Sequence, residues 1–150
     1  MRENNQGVMV IVECAVEMNT TAQNSLETIE EYFDIFEAQR NTVNAHDGQA
    51  GYHEGMFKKA MIKIMDKSNK KTARVYRYPV LKKEIEEVAM TASSGQFLAC
   101  LFILLADNGR YKGLKIELEN DFTMRQSNYP KMVVAAKRIL TDYIAPDKSI

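Results

Sequence analysis

The side chains best placed to do chemistry in this 150-residue chain are His46 and His53, with Asp47 beside the first. Two imidazoles near a carboxylate are the beginnings of a metal site or an acid–base pair. A metal centre needs further ligands at short fixed spacing, and neither Cys-x-x-Cys nor His-x-x-x-His occurs. Both histidines fall in the stretch from His46 to Gly55, which holds three glycines, so two ordinary loop histidines are the better reading. No glycine-rich phosphate loop, nucleophile elbow or helix-borne carboxylate pair is present. Glu30-Glu31 and Glu86-Glu87 fit solvated helix faces. Cys14 and Cys100 make no disulfide framework, and their usage suits a reducing compartment. The expectation is a chain that is not an enzyme and holds no metal or cofactor.

Charge is more informative. Lys plus Arg and Asp plus Glu number 20 each, yet the two signs are segregated. Lys58, Lys59, Lys63, Lys67, Lys70, Lys71, Arg74, Arg77, Lys82 and Lys83 hold half of the positive charge, with Asp66 the single acid among them. From Glu13 to Glu37 the chain carries Glu13, Glu17, Glu27, Glu30, Glu31, Asp34 and Glu37 and no Lys or Arg. Three readings stand side by side. The basic stretch is a solvated loop; or it meets the acidic face of a second copy; or it holds nucleic-acid phosphates, with Tyr76 and Tyr78 interleaved for stacking.

The elements that carry these residues are helical. Phe97 to Ala106 is apolar throughout, and ten residues are too few to cross a bilayer, which takes about 20. It is expected as a helix buried on every side. Asp107-Asn108-Gly109 breaks it and supplies a cap for an amphipathic helix from Arg110 to about Met124, with Leu114, Leu118 and Phe122 inward and Tyr111 and Ile116 flanking. The rest of the chain is expected to pack around this hairpin. Upstream, residues 1–7 read as a disordered lead, and Val8–Met18 is ambiguous. Its β-branched residues suit a strand, but with no partner strand in sight helix is preferred.

Leu26, Ile29, Phe33, Phe36 and Val43 mark a helix from about Ser25 to Asn44, with acids near its start. A helix over Glu54–Met65 presents Met56, Phe57, Ala60, Met61 and Ile64, and Lys67–Tyr78 is a basic loop. Pro79 opens a helix to about Ser93 with Leu81, Ile85, Val88 and Ala89 inward, and Ser93-Ser94-Gly95 is the turn after it. Pro130 starts a last helix to about Ile144 that buries Met132, Val133, Ala136, Ile139, Leu140 and Tyr143. The fold class expected is all-α, a compact bundle of six to seven helices. Residues 1–24 form a lead and first element, 25–145 the helical domain, and 146–150 a tail. Two lobes split near 66–79 are the alternative division.

One pattern runs through the second half: Ala106-Asp107-x-x-Arg110-Tyr111-x-x-Leu114-x-x-x-Leu118-x-Asn120-Asp121-Phe122, then Tyr129-Pro130 and an Ala135…Leu140 helix. It resembles a motif in Gag-like proteins of copia-type LTR retrotransposons. The Phe97–Phe102 run and Tyr32-Phe33-Asp34-Ile35-Phe36-Glu37-Ala38-Gln39 are also similar to such proteins, especially those of algal and diatom genomes, so the resemblance spans residues 30 to 144. Two departures stand out: Arg125 occupies a position where a glycine would end the helix, and no zinc-knuckle spacing is present.

The resemblance implies a retroelement capsid-like domain that self-associates into shells around RNA in the cytoplasm, with no membrane partner. Its motif residues would be structural. Arg110 and Asp121 would tie helix ends by ion pairs or caps, Asp107 would cap, Tyr111, Leu114, Leu118 and Phe122 would fill the core, and Tyr129-Pro130 would fix the last turn. RNA would be held without sequence preference by the ten basic residues from Lys58 to Lys83. The outer faces of the first long helix and the last helix would carry contacts between copies. A non-assembling helical module that binds a protein partner, domesticated from such a Gag, is the alternative.

Overall fold

Thr28 sets where the second helix begins. Its hydroxyl accepts the Glu31 amide at 3.1 Å, and Glu30 and Glu31 follow in the first turn, where the helix dipole favours acids. The computed structural model describes residues 2–46, 48–67, 79–124 and 127–143. These form six helices and no strand: α1 (Arg2–Thr20), α2 (Ile29–Ala45), α3 (Glu54–Lys67), α4 (Pro79–Leu104), α5 (Asn108–Thr123) and α6 (Val133–Asp142). The all-helical expectation holds, and Val8–Met18 is helical. That helix reaches back to Arg2, through the polar stretch read as a lead.

The main departure is α4. The turn expected at Ser93-Ser94-Gly95 does not form, and one helix of 26 residues replaces the two expected there. Both serine hydroxyls bond back to carbonyls of the preceding turn, Ser93 to Met90 and Ser94 to Thr91, so neither draws the backbone out of the helix. Gly95 costs helix propensity, roughly 1 kcal/mol. The bare Cα also eases a close approach: a Cβ there would stand 3.1 Å from the Lys131 carbonyl, where the chain entering α6 crosses α4. By length and composition Lys82–Leu104 would suffice to cross a bilayer. Here Leu98, Ala99 and Phe102 on it are wholly buried against other helices.

Two hydrophobic clusters share α4. Its second half is the axis of the larger one, where Phe102 meets Tyr32, Phe33 and Phe36 of α2. Tyr32 stacks on Phe102 at 4.4 Å between ring centroids, and Phe36 meets it edge-on at 5.1 Å. Met18 of α1, Leu114 and Leu118 of α5, and Val133, Ala136 and Leu140 of α6 complete this core. The first half of α4 pairs Ile85 and Ala89 with Met61 and Met65 of α3. The broadest helix contacts are α3 with α4, α4 with α6, and α1 with α2. The chain is thus centred on one long helix rather than on a hairpin of α4 and α5.

Gly51 seats the α2–α3 loop on α4. Its φ of 78° is left-handed, and a Cβ would come within 2.6 Å of Leu98 and 2.8 Å of the Ser94 carbonyl.

Several side chains expected inside lie outside. Leu26 is 90% exposed, because α2 begins only at Ile29. Phe122, in the last turn of α5, is exposed and leans edge-on against Tyr129 instead of entering the core. α6 begins at Val133, so Pro130 is a buried residue of the approach rather than a first helical residue. Met132 and Val88 are exposed on an open groove. Of the loop expected over Lys67–Tyr78, Lys67 belongs to α3 and residues 68–78 lie outside what is described, as does the side chain of Leu81.

Candidate assembly surface and the clamp behind it

Side chains other than the polar members of the Ala106–Phe122 pattern serve the end of α4, chiefly Tyr32 and Lys115. The last carbonyls of a helix have no partner within it, and here each finds one. Leu101 accepts from the Leu105 amide (2.9 Å), Phe102 from the Tyr32 hydroxyl (2.7 Å) and Ile103 from the Ala106 amide (3.2 Å). Leu104 and Ala106 accept from the Lys115 ammonium at 2.9 and 2.7 Å, and Leu105 from the Gln23 amide at 2.8 Å. A cation at a helix C-terminus also meets the negative end of the dipole. Burial lowers the Lys115 pKa, and the nearby Asp107 charge opposes that shift.

Asp107 then starts α5. Its carboxylate accepts the Gly109 amide at 3.2 Å and the Arg110 Nε at 3.0 Å. Arg110 extends its other arm to the carbonyls of Asn24 (3.1 Å) and Glu27 (2.6 Å). Buried Gln23 closes the set, with its side-chain carbonyl accepting the Asp107 amide at 2.9 Å and its amide group donating to Glu27. The α1–α2 loop and the α4–α5 turn are thereby locked together. Hydrogen bonding to Arg110 holds the Asp107 carboxyl below the usual range.

The other motif residues divide between core and surface, Phe122 and Asn120 being exposed. Tyr111, Leu114 and Leu118 are buried, with Tyr111 tilted against Tyr143. Asp121 accepts from the Asn128 side chain at 2.9 Å at the end of α5, and the Asn120 carbonyl accepts the Met124 amide. Tyr129 is half-buried. Gln23 and Lys115 escape a sequence reading, since their partners are backbone carbonyls of another segment.

The histidines do separate work. The His46 amide closes α2 onto the Thr42 and Val43 carbonyls. The His53 ring accepts the Met56 amide at the start of α3 and stacks on Phe97. Asp47 lies outside the described residues. Among those described, no three His, Cys, Asp or Glu side chains gather where a metal ion would sit.

Of the ten basic residues, Lys58, Lys59 and Lys63 stand exposed on α3, and Lys82 and Lys83 lie near the start of α4. Lys58 pairs with Glu54 at 3.1 Å and Lys82 with Glu86 at 3.7 Å. Lys67 ends α3; Lys70, Lys71, Arg74 and Arg77 lie outside the described residues.

Lys59 and Lys63 border a groove of about 1080 Å³ between α2, α3, α4 and the start of α6. Val88 and Ala92 of α4, Ala60 and Ile64 of α3, and Met132 and Val134 give it an apolar lining. Lys131 and the Arg40–Glu37 pair (3.5 Å) add to its rim. A second uncovered apolar surface runs along α1, where Val8, Met9, Val12 and Val16 are each about half exposed.

The chain matches no family model, no curated protein and no solved structure.

Proposed function

We propose that this chain is a capsid-like structural protein whose copies associate through their helical surfaces into shells, with RNA held by non-specific electrostatics. The observation that carries the reading is the pair of uncovered apolar surfaces, the groove and the α1 stripe, on a domain whose charged motif residues are spent on internal clamping. Large apolar surfaces left open on a monomer mark interaction sites. Many weak contacts repeated by symmetry become strong collectively in a closed shell. The resemblance to copia-type Gag proteins supports the same reading, and the basic residues from Lys58 to Lys83 that lie off the groove rim would be the face toward RNA.

Light scattering coupled to size exclusion tests it, run across protein concentration, with and without RNA, at low and high salt. Growth from monomers to large particles is expected, with RNA binding that falls steeply as salt is added. Salt-independent RNA binding would remove the electrostatic role of the basic segment. A monomer under every condition would overturn assembly and leave a helical module for a partner protein.

A further inference from the structure

We propose that the groove between α2, α3, α4 and α6 receives helix α1 of a second copy, so that each contact joins unlike faces of two identical chains. This rests on the assembly reading and names its contact.

The α1 helix has two apolar faces. Cys14 and Met18 pack into the main core. Val8, Val12 and Val16, at i, i+4 and i+8, project on the other side with Met9, within an arc of about 100°. This is the anchor spacing by which a helix lies in an apolar groove. Beside the stripe stand exposed Glu13 and Glu17, and no Lys or Arg occurs between Val8 and Gln39.

The groove is the counterpart in size and charge. A helical segment about 10 Å across and about 20 Å long, sunk to half its depth, fills roughly 800 Å³, which the groove's 1080 Å³ accommodates. Its rim carries Lys59, Lys63, Lys131 and Arg40 against Glu37 and Glu87. Pairing of α1 with another α1 is disfavoured, since it would bring Glu13 and Glu17 of both copies to one seam, and the Val8–Gln39 stretch supplies no Lys or Arg to offset them. Within one chain, α1 meets α2 on the side of Gln39, which donates to Thr21, whereas Phe33, Glu37 and Arg40 face the groove. The two surfaces of one molecule therefore lie on different sides, and a contact of unlike faces propagates into rings, filaments or shells.

The test uses two variants of the full chain, altered only at exposed positions and checked for unchanged helical circular dichroism. V12K/V16K removes the α1 anchor and leaves the groove; V88K/V134K blocks the groove and leaves α1. By sedimentation velocity each variant alone is expected to stay monomeric where the wild type associates, and an equimolar mixture to form a dimer that grows no further. E13K/E17K is expected to weaken association at least about tenfold, and K59E/K63E in the same chain to restore it. Self-association of V88K/V134K as strong as wild type, or a mixture that stays monomeric, would overturn the pairing. If the wild type and both variants all assemble alike, this pairing falls while the assembly reading stands. If the wild type is monomeric at every concentration with and without RNA, the assembly reading falls and takes the pairing with it.

Discussion

The Arg110 guanidinium donates to the carbonyl of Glu27 at 2.6 Å, across 83 positions of sequence. The same side chain holds Asn24 and Asp107, so one residue joins the α1–α2 loop to the turn where α4 ends and α5 begins. Arg110→Lys keeps the charge and loses the fork that reaches three acceptors at once. A loss of about 1–3 kcal/mol is expected, read as a lowered midpoint in thermal unfolding. Stability within about 0.5 kcal/mol of wild type would mean that water serves those carbonyls equally well.

Acid should expose the other half of that clamp. Arg110 holds the Asp107 carboxyl below its ordinary value of 3.8. A group whose pKa is depressed on folding stabilises the fold above its unfolded pKa, and loses that contribution as pH falls through the folded value. Asp107→Asn retains a side-chain acceptor for the Gly109 amide and removes the charge. The stability gap between wild type and D107N is therefore expected to be full at neutral pH and to close as pH drops below 3.8. A gap independent of pH would assign the residue's value to capping alone.

How much of this could be read in advance depends on the range of the interaction. The α2 face carrying Phe33 and Phe36 and the cap at Asp107 are local patterns, and both stand in the structure. The continuity of α4 was hidden because Ser-Ser-Gly has turn chemistry. Only the back-bonded serines and the passage of Lys131 over Gly95 explain a helix there. Leu26 fits the helical period of α2 but precedes its cap, and Gln23 and Arg110 hold that segment as a loop. The groove was illegible for a different reason. Val88, Ile64 and Val134 belong to three helices, each with an ordinary amphipathic pattern, and no local spacing says that their shared face stays open.

The Tyr32 hydroxyl gives a third measurement. It donates to the Phe102 carbonyl, one of the last on α4. Tyr32→Phe leaves that buried carbonyl without a donor at an expected cost of about 1–2 kcal/mol. Burial, and then the charge of Glu27, raise the phenol's pKa well above the ordinary 10. A raised folded pKa means the contribution is complete below pH 10 and is lost as pH rises beyond it, because the unfolded chain releases the proton first. Wild type should lose stability above pH 10 more steeply than Y32F in denaturant titrations. Parallel losses would place the alkaline sensitivity on other tyrosines.

Gly51 and Gly95 make opposite demands on an added methyl group, although both sit against the same helix. At Gly51 the φ of 78° disfavours any L side chain, and the Cβ of alanine would overlap Leu98 and the Ser94 carbonyl. Neither neighbour moves cheaply, one being core and the other helix backbone, so Gly51→Ala is expected to cost more than about 2 kcal/mol. At Gly95 the backbone is already helical, and alanine gains up to about 1 kcal/mol of propensity. Against that gain stands the Lys131 carbonyl, 3.1 Å from the new Cβ, which must shift by a few tenths of an ångström. G95A should therefore fall within about 1 kcal/mol of wild type. Chemical denaturation of the two variants side by side decides the matter. A tolerant Gly51 with an intolerant Gly95 would mean that α4 is anchored by the approach to α6 rather than by the α2–α3 loop.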